Sequence, residues 1–150
     1  MEGLITLYSS FTAQSCNTSV DGWIACRGKL FLFSSDKLNW RSSRDVCVSK
    51  GADLVTITSQ LEQDFLVSKI KETHWIGLNG LQTEGHWVCV NYQTLTETGV
   101  QFWFSRNPKQ PNDGRTANCA ALGNVKDHLD SWFDASCTKP KNFICEKLIN

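Results

Sequence analysis

Seven cysteines in 150 residues constrain this chain more than any other feature. They stand at positions 16, 26, 47, 89, 119, 137 and 145, and the nearest two, Cys137 and Cys145, are eight residues apart. No Cys-x-x-Cys knuckle exists, and His74, His86 and His128 form no close pair. A structural zinc site is therefore not expected. Cysteines spread this widely read as disulfides, which form in an oxidising compartment. Asn17-Thr18-Ser19 is a glycosylation sequon with Asn17 as acceptor, which agrees with an exported glycoprotein.

A chain of 150 residues makes one domain with a real core. Hydrophobic residues are 41% and charged residues 20%, which argues against wholesale disorder. Lys plus Arg equals Asp plus Glu at 15 each, so no global field draws the chain to nucleic acid or to an anionic membrane. No stretch approaches the roughly 20 apolar residues of a membrane span. If the natural protein is membrane-bound, its anchor is expected outside these residues. Residues 1–15 read as a neck remnant or edge segment. Glu2 stands where a signal peptide carries positive charge, and Thr6, Ser9 and Ser10 break the apolar run. Residues 16–150 read as the domain.

Trp23-Ile24 and Leu30-Phe31-Leu32-Phe33 are strand-like, bounded by Gly28 and Ser34. Asn39 predicts a helix N-cap, with Trp40 and Cys47 on one face and Gly51 ending the helix. Asp53 to Ile57 predicts a strand. Ser59 and Glu62 form a capping box opening a second helix, which carries Leu61, Phe65, Leu66 and Ile70 towards the core. From His74 on, short strand-like pieces (75–78, 87–90, 119–122, 131–133 and 142–145) alternate with loops. Two helices followed by short strands predict an α+β fold with short antiparallel sheets. The segment between Val90 and Cys119 is long and has little periodicity, as functional loops do. Gln101-Phe102-Trp103-Phe104 inside it suggests pinning by aromatic packing.

These residues resemble a known family. Gly22-Trp23-Ile24, Trp40, Ser43, Cys47, Gly51-Ala52-Asp53-Leu54, Ile57, Glu62 and Phe65 look like the first half of a C-type lectin-like domain. Trp75-Ile76-Gly77-Leu78 matches its core strand. Cys119, Trp132, Asp134, Cys137 and Phe143-Ile144-Cys145-Glu146 match its C-terminal signature. The resemblance covers about Asp21 to Lys147 and implies a disulfide-stapled fold with a long structured loop region. It implies the bridges Cys47–Cys145 and Cys119–Cys137, with Cys16 and Cys26 as the third pair, resembling the N-terminal bridge of longer members. Cys89 is left over. It reads as a buried thiol in a strand, with intermolecular pairing as the alternative.

In calcium-dependent members of that family, one Ca²⁺ holds the long loops and bonds sugar hydroxyls directly. Ca²⁺ takes six to eight oxygens, and carboxylate count tunes its affinity. The family's Glu-Pro-Asn or Gln-Pro-Asp motif falls here on Gln110-Pro111-Asn112, where the family's proline follows a cis peptide. A Glu ligand falls on Ala117, which has no side-chain oxygen. The Trp-Asn-Asp motif is Trp132-Phe133-Asp134, its amide replaced by an aromatic ring. Gln110, Asn112 and Asp134 remain as residual ligands, with one carboxylate among them. Calcium is therefore disfavoured, and no cofactor is expected. Glu84, Asp113 and Asn118 fall near an auxiliary cation position of the family and are read as solvated loop residues.

The leading expectation is an extracellular recognition domain of an immune-type receptor, cell-surface or secreted, binding without calcium. Its ligand is expected to be a protein, on another cell or secreted. The loop face would supply Phe104, Arg106, Lys109, Gln110, Asn112, Arg115 and Phe133, because aromatic and Arg residues dominate protein interfaces. Its cations point to an acidic or sulfated partner. The alternative is a carbohydrate-binding lectin using an altered calcium site at Gln110-Pro111-Asn112. An enzyme is not expected, since no nucleophile–base, phosphate-loop or paired-acid signature stands out. A homodimer is possible for a receptor of this kind.

Overall fold

The computed structural model describes residues 16, 18–83, 86–104, 118–126 and 130–149. Residues 1–15, expected as a neck remnant, and the sequon residue Asn17 lie outside them. The described residues form an α+β domain of nine strands and three helices. No helix among them is long and apolar enough to cross a membrane.

The first strands, β1 (Thr18–Val20), β2 (Trp23–Cys26) and β3 (Lys29–Phe33), form an antiparallel meander. Both of its turns, Asp21-Gly22 and Arg27-Gly28, have two left-handed residues each. Such two-residue turns match the twist of the strands they join. β1 was not expected from the sequence.

Helix α1 (Trp40–Ser49) is capped by Asn39, whose side chain accepts from the Ser42 amide, and Gly51 follows it at φ 73°. It buries Trp40, Ser43 and Cys47. The predicted strand over 53–57 is shorter, since β4 holds only Asp53–Leu54. Beyond it the backbone finds partners outside a regular ladder. Val55 donates to the Ile144 carbonyl, Gly77 donates to the Val55 carbonyl, and the Thr56 amide donates to a Glu146 carboxylate oxygen.

Helix α2 (Gln60–Ser68) starts at Ser59, which accepts from the Glu62 amide at 3.2 Å. The reciprocal half of the expected capping box is displaced. Glu62 accepts from Thr58, one residue early, at 3.4 Å and pairs with Lys29 at 3.1 Å. Lys29 pulls the carboxylate away from the cap. Leu61 is a correction too: it is 58% exposed, while Leu66 and Ile70 are buried and Phe65 packs at the core edge. The core position falls to Gln63, which lies about 200° around the helix from Leu61.

Strand β5 (His74–Thr83) pairs with β6 (His86–Cys89) and with β7 (Cys119–Leu122), which pairs in turn with β8 (Trp132–Ala135). The last strand, β9 (Asn142–Leu148), pairs antiparallel with β3 and β4. It also runs parallel to β5 at His74↔Asn142 and Trp75↔Phe143. The sheets are therefore not wholly antiparallel. One parallel contact arises because β9 is shared between the N-terminal meander and the second half. A short helix α3 (Leu95–Thr98) interrupts the long aperiodic segment, fixed by a full capping box between Thr94 and Glu97.

Three disulfides lock these parts together: Cys47–Cys145 joins α1 to β9, Cys119–Cys137 closes the end of β7, and Cys16–Cys26 ties the N-terminal segment to β2. Cys89 is a buried free thiol. Burial, helped by the Glu146 charge, pushes its pKa up to about 11, which leaves it a poor nucleophile at neutral pH.

Candidate functional site

The long loop region starts from an aromatic stem. The Trp132 amide on β8 donates to the Phe102 carbonyl at 2.7 Å, and the Phe104 amide donates to the Trp132 carbonyl at 3.0 Å. Those two bonds lay residues 102–104 beside β8 as a short parallel bridge. Four ring contacts reinforce it. Trp103 meets Trp87 at 4.9 Å and Trp132 at 5.6 Å, Phe102 meets Trp132 edge-on at 5.3 Å, and Phe104 lies 5.1 Å from Phe133. Each such pair adds about 0.5–1.5 kcal/mol beyond the area it buries. The expected aromatic pinning is present at Phe102 to Phe104, immediately before residues 105–117 in the sequence.

The other end of that loop is also fixed. Gly80 donates to the Asn118 carbonyl at 2.8 Å, and the next residue, Cys119, is bridged to Cys137. Both ends of the loop thus hang from the β5–β7–β8 side of the sheet.

Under the stem lies a buried polar hub. Gln63 on α2 accepts from the Trp132 indole N–H at 2.9 Å and donates to the Ser131 hydroxyl at 3.1 Å. Gln63 and Ser131 have no exposed surface. Sequence reasoning missed this residue. Its signal was a polar side chain on the helix face shared with Leu66 and Ile70.

Two of the seven residues expected on the loop face, Phe104 and Phe133, are described. Both are half-buried and stack on each other. They therefore form part of the footing of the segment that follows Phe104. Arg106, Lys109, Gln110, Asn112 and Arg115 lie outside the described residues. Of the residual metal ligands, Asp134 stands on β8 opposite Ala120, and Gln110 and Asn112 lie outside. Asn118 of the auxiliary position is half-buried beside β7, and Glu84 and Asp113 lie outside. The Phe133 ring also lies close over Gly123, where an added Cβ would come within 2.9 Å of it.

The family described as Lectin C-type domain matches residues 36–147. The chain is 35% identical over 127 residues to CD209 antigen-like protein C from Mus musculus, covering 83% of this chain and 67% of that protein. It is likewise 35% identical to C-type lectin domain family 4 member K from Homo sapiens, of which it spans only 38%. The mouse scavenger receptor C-type lectin carbohydrate-recognition domain superposes with a TM-score of 0.76 at 27% identity, over 88% of this chain and 98% of that one. A mixed sheet and two main helices knitted by three disulfides are the fold of C-type lectin domains, and this chain belongs to the C-type lectin domain family. That family is non-enzymatic, and receptor-type lectins are among the relatives of this chain.

Proposed function

We propose that this domain is the extracellular recognition module of an immune-type receptor and binds a protein ligand without calcium. The observation that carries this reading is the Phe104–Phe133 stack. Phe133 occupies the β8 position beside Asp134 where the family's metal site has an amide ligand. Its ring lies 5.1 Å from Phe104 and covers Gly123. A hard cation needs six to eight oxygens. An aromatic pair supplies none. Asp134 is the one carboxylate left at the matching positions, since Ala117 offers no side-chain oxygen and Gln110 and Asn112 carry no charge. These residues do not fit a calcium ion. Two paired aromatic rings, with Arg106, Lys109 and Arg115 following Phe104 in the sequence, have instead the composition of a protein interface. The three disulfides support an oxidising, extracellular setting.

The test is the thermal melt of the oxidised domain in millimolar Ca²⁺ and in excess chelator. An ion that binds only the folded state at about 100 times its Kd adds about 2.7 kcal/mol, a shift of several degrees. Coincident melts are expected. A clear rise with Ca²⁺ would overturn the reading and return Gln110, Asn112 and Asp134 to a cation site with a sugar ligand.

A further inference from the structure

A recess of about 220 Å³ lies between α1, β5, β6 and the turn that follows β6. Its lining among the described residues comes from α1, β5, β6 and that turn, and includes none of Asn118, Phe133 and Asp134. Arg41 and Arg44 enter it from α1, Asn79 and Leu81 from β5, and Tyr92 from the turn.

Its charge is positive. Arg44 donates to both carboxylate oxygens of Asp53, at 3.1 and 3.2 Å, and also to the Val90 carbonyl. That pairing fixes Arg44 and offsets its charge. Arg41 is exposed and makes no salt bridge among the described residues. The first turn of α1 holds no acidic residue, although a helix start favours one. The positive helix end and the Arg41 guanidinium therefore reinforce each other at the mouth of the recess.

Two exposed side chains with large apolar surfaces line the same recess. Leu81 is 41% exposed and Tyr92 is 78% exposed. Tyr92 has φ 71°, a left-handed conformation that a tyrosine rarely adopts. Reciprocal 2.8 Å bonds hold it there, from the Tyr92 amide to the Cys89 carbonyl and from the Cys89 amide to the Gln93 carbonyl. Asn79 adds an amide whose Oδ1 accepts from Leu81 and whose Nδ2 has only a 3.5 Å contact with the Val88 carbonyl.

We propose that this recess binds one acidic sugar ring, with Arg41 on its carboxylate or sulfate and the Tyr92 ring against its C–H face. A guanidinium fork matches the two oxygens of either anion. A compact recess with an aromatic wall suits a ring better than an extended peptide, which needs a strand edge or a groove.

The experiment is an amide-shift titration of the ¹⁵N-labelled chain in chelator. The probes are N-acetylneuraminate, glucuronate, galactose-6-sulfate, neutral N-acetylgalactosamine and inorganic sulfate. Saturable shifts at Arg41, Asn79, Val88 and Tyr92 are expected with an acidic sugar, at a Kd of about 1–10 mM, as suits a single surface ion pair and one ring contact. The carboxylate and sulfate sugars show which anion the recess prefers. Arg41→Gln is expected to weaken binding about tenfold, and Tyr92→Ala by a similar factor, with unchanged melts. Higher salt is expected to weaken it further. Equal binding of the neutral sugar, equal binding of bare sulfate, indifference to Arg41→Gln, or an absence of shifts at these amides would each overturn the proposal.

Discussion

Gln63 shows how one residue connects helix α2 to the aromatic stem around Trp132. It is a neutral side chain with no exposed surface, and it answers two polar groups, the Trp132 indole and the Ser131 hydroxyl. Removing one partner of a buried hydrogen bond costs more than the bond contributes, because the abandoned group stays dry. Gln63→Ala abandons two, so a loss of about 3 kcal/mol is expected in urea unfolding. Trp132 packs against Phe102 and Trp103, so the variant's tryptophan fluorescence should also shift. A loss below about 1 kcal/mol would show that water satisfies the hub. A count of apolar positions could not reveal this residue, although its helix face is that of Leu66 and Ile70. A pattern search counts apolar positions, so it placed Leu61 in the core, where the structure exposes it, and passed over the polar residue that is buried. The three bridged cysteine pairs were legible because the resemblance implied them, and the burial of Cys89 fits its place at the end of β6.

At the scale of elements, strand β5 decides how closely the two halves approach. An added Cβ at Gly77 would sit 2.6 Å from the Leu54 carbonyl oxygen, 2.9 Å from that of Val55 and 2.9 Å from a Val90 methyl. Two of these atoms are backbone and cannot swing aside. The same closeness lets the Gly77 amide donate to Val55 at 2.7 Å while its carbonyl accepts from Val90 at 2.8 Å. Gly77→Ala must therefore part β5 from the 54–55 segment, and a loss of about 3 kcal/mol is expected in the melting free energy. A near-neutral result would mean that the segment moves freely. Elements with their own local signals were legible: α1 through Asn39, α2 through Ser59, and the core of β5 through Trp75-Ile76-Gly77-Leu78. Val55 to Ile57 read as strand because all three are β-branched, yet the Val55 and Thr56 backbone groups find Gly77, Ile144 and the Glu146 carboxylate. That choice depends on distant segments. It also has an electrostatic consequence: burial pushes the Glu146 carboxyl above its ordinary value, against the pull of Lys29 and the Thr56 amide. Helix α3 was missed although Thr94 and Glu97 announce it, because four residues carry no periodicity. The aromatic stem of the site was legible in Phe102-Trp103-Phe104, whereas the Phe104–Phe133 stack was not, since the residues lie on separate segments.

Across the whole molecule, β9 is the strand on which the fold turns, because it touches β3, β4 and β5 and carries Cys145. The Cys47–Cys145 bridge closes 98 residues, whereas Cys119–Cys137 closes 18. In the native state both join segments that packing already holds together, so each bridge acts chiefly on the unfolded chain. Chain entropy then ranks them by loop length, at about 4.7 kcal/mol for the long loop and about 3 kcal/mol for the short one. The paired variants Cys47→Ala/Cys145→Ala and Cys119→Ala/Cys137→Ala are expected to lose stability in that order in urea unfolding. Their effects on recognition should run the other way. Cys119 follows Asn118, which borders residues 105–117 in the sequence, so on the proposed reading the short bridge braces the segment that meets the ligand. The long bridge lies at Cys47 and Cys145, both fully buried between α1 and β9. Loss of ligand binding with the long bridge removed but the domain still folded would contradict this division. A larger stability loss from the short bridge would show that native packing, and not loop length, sets the worth of each staple.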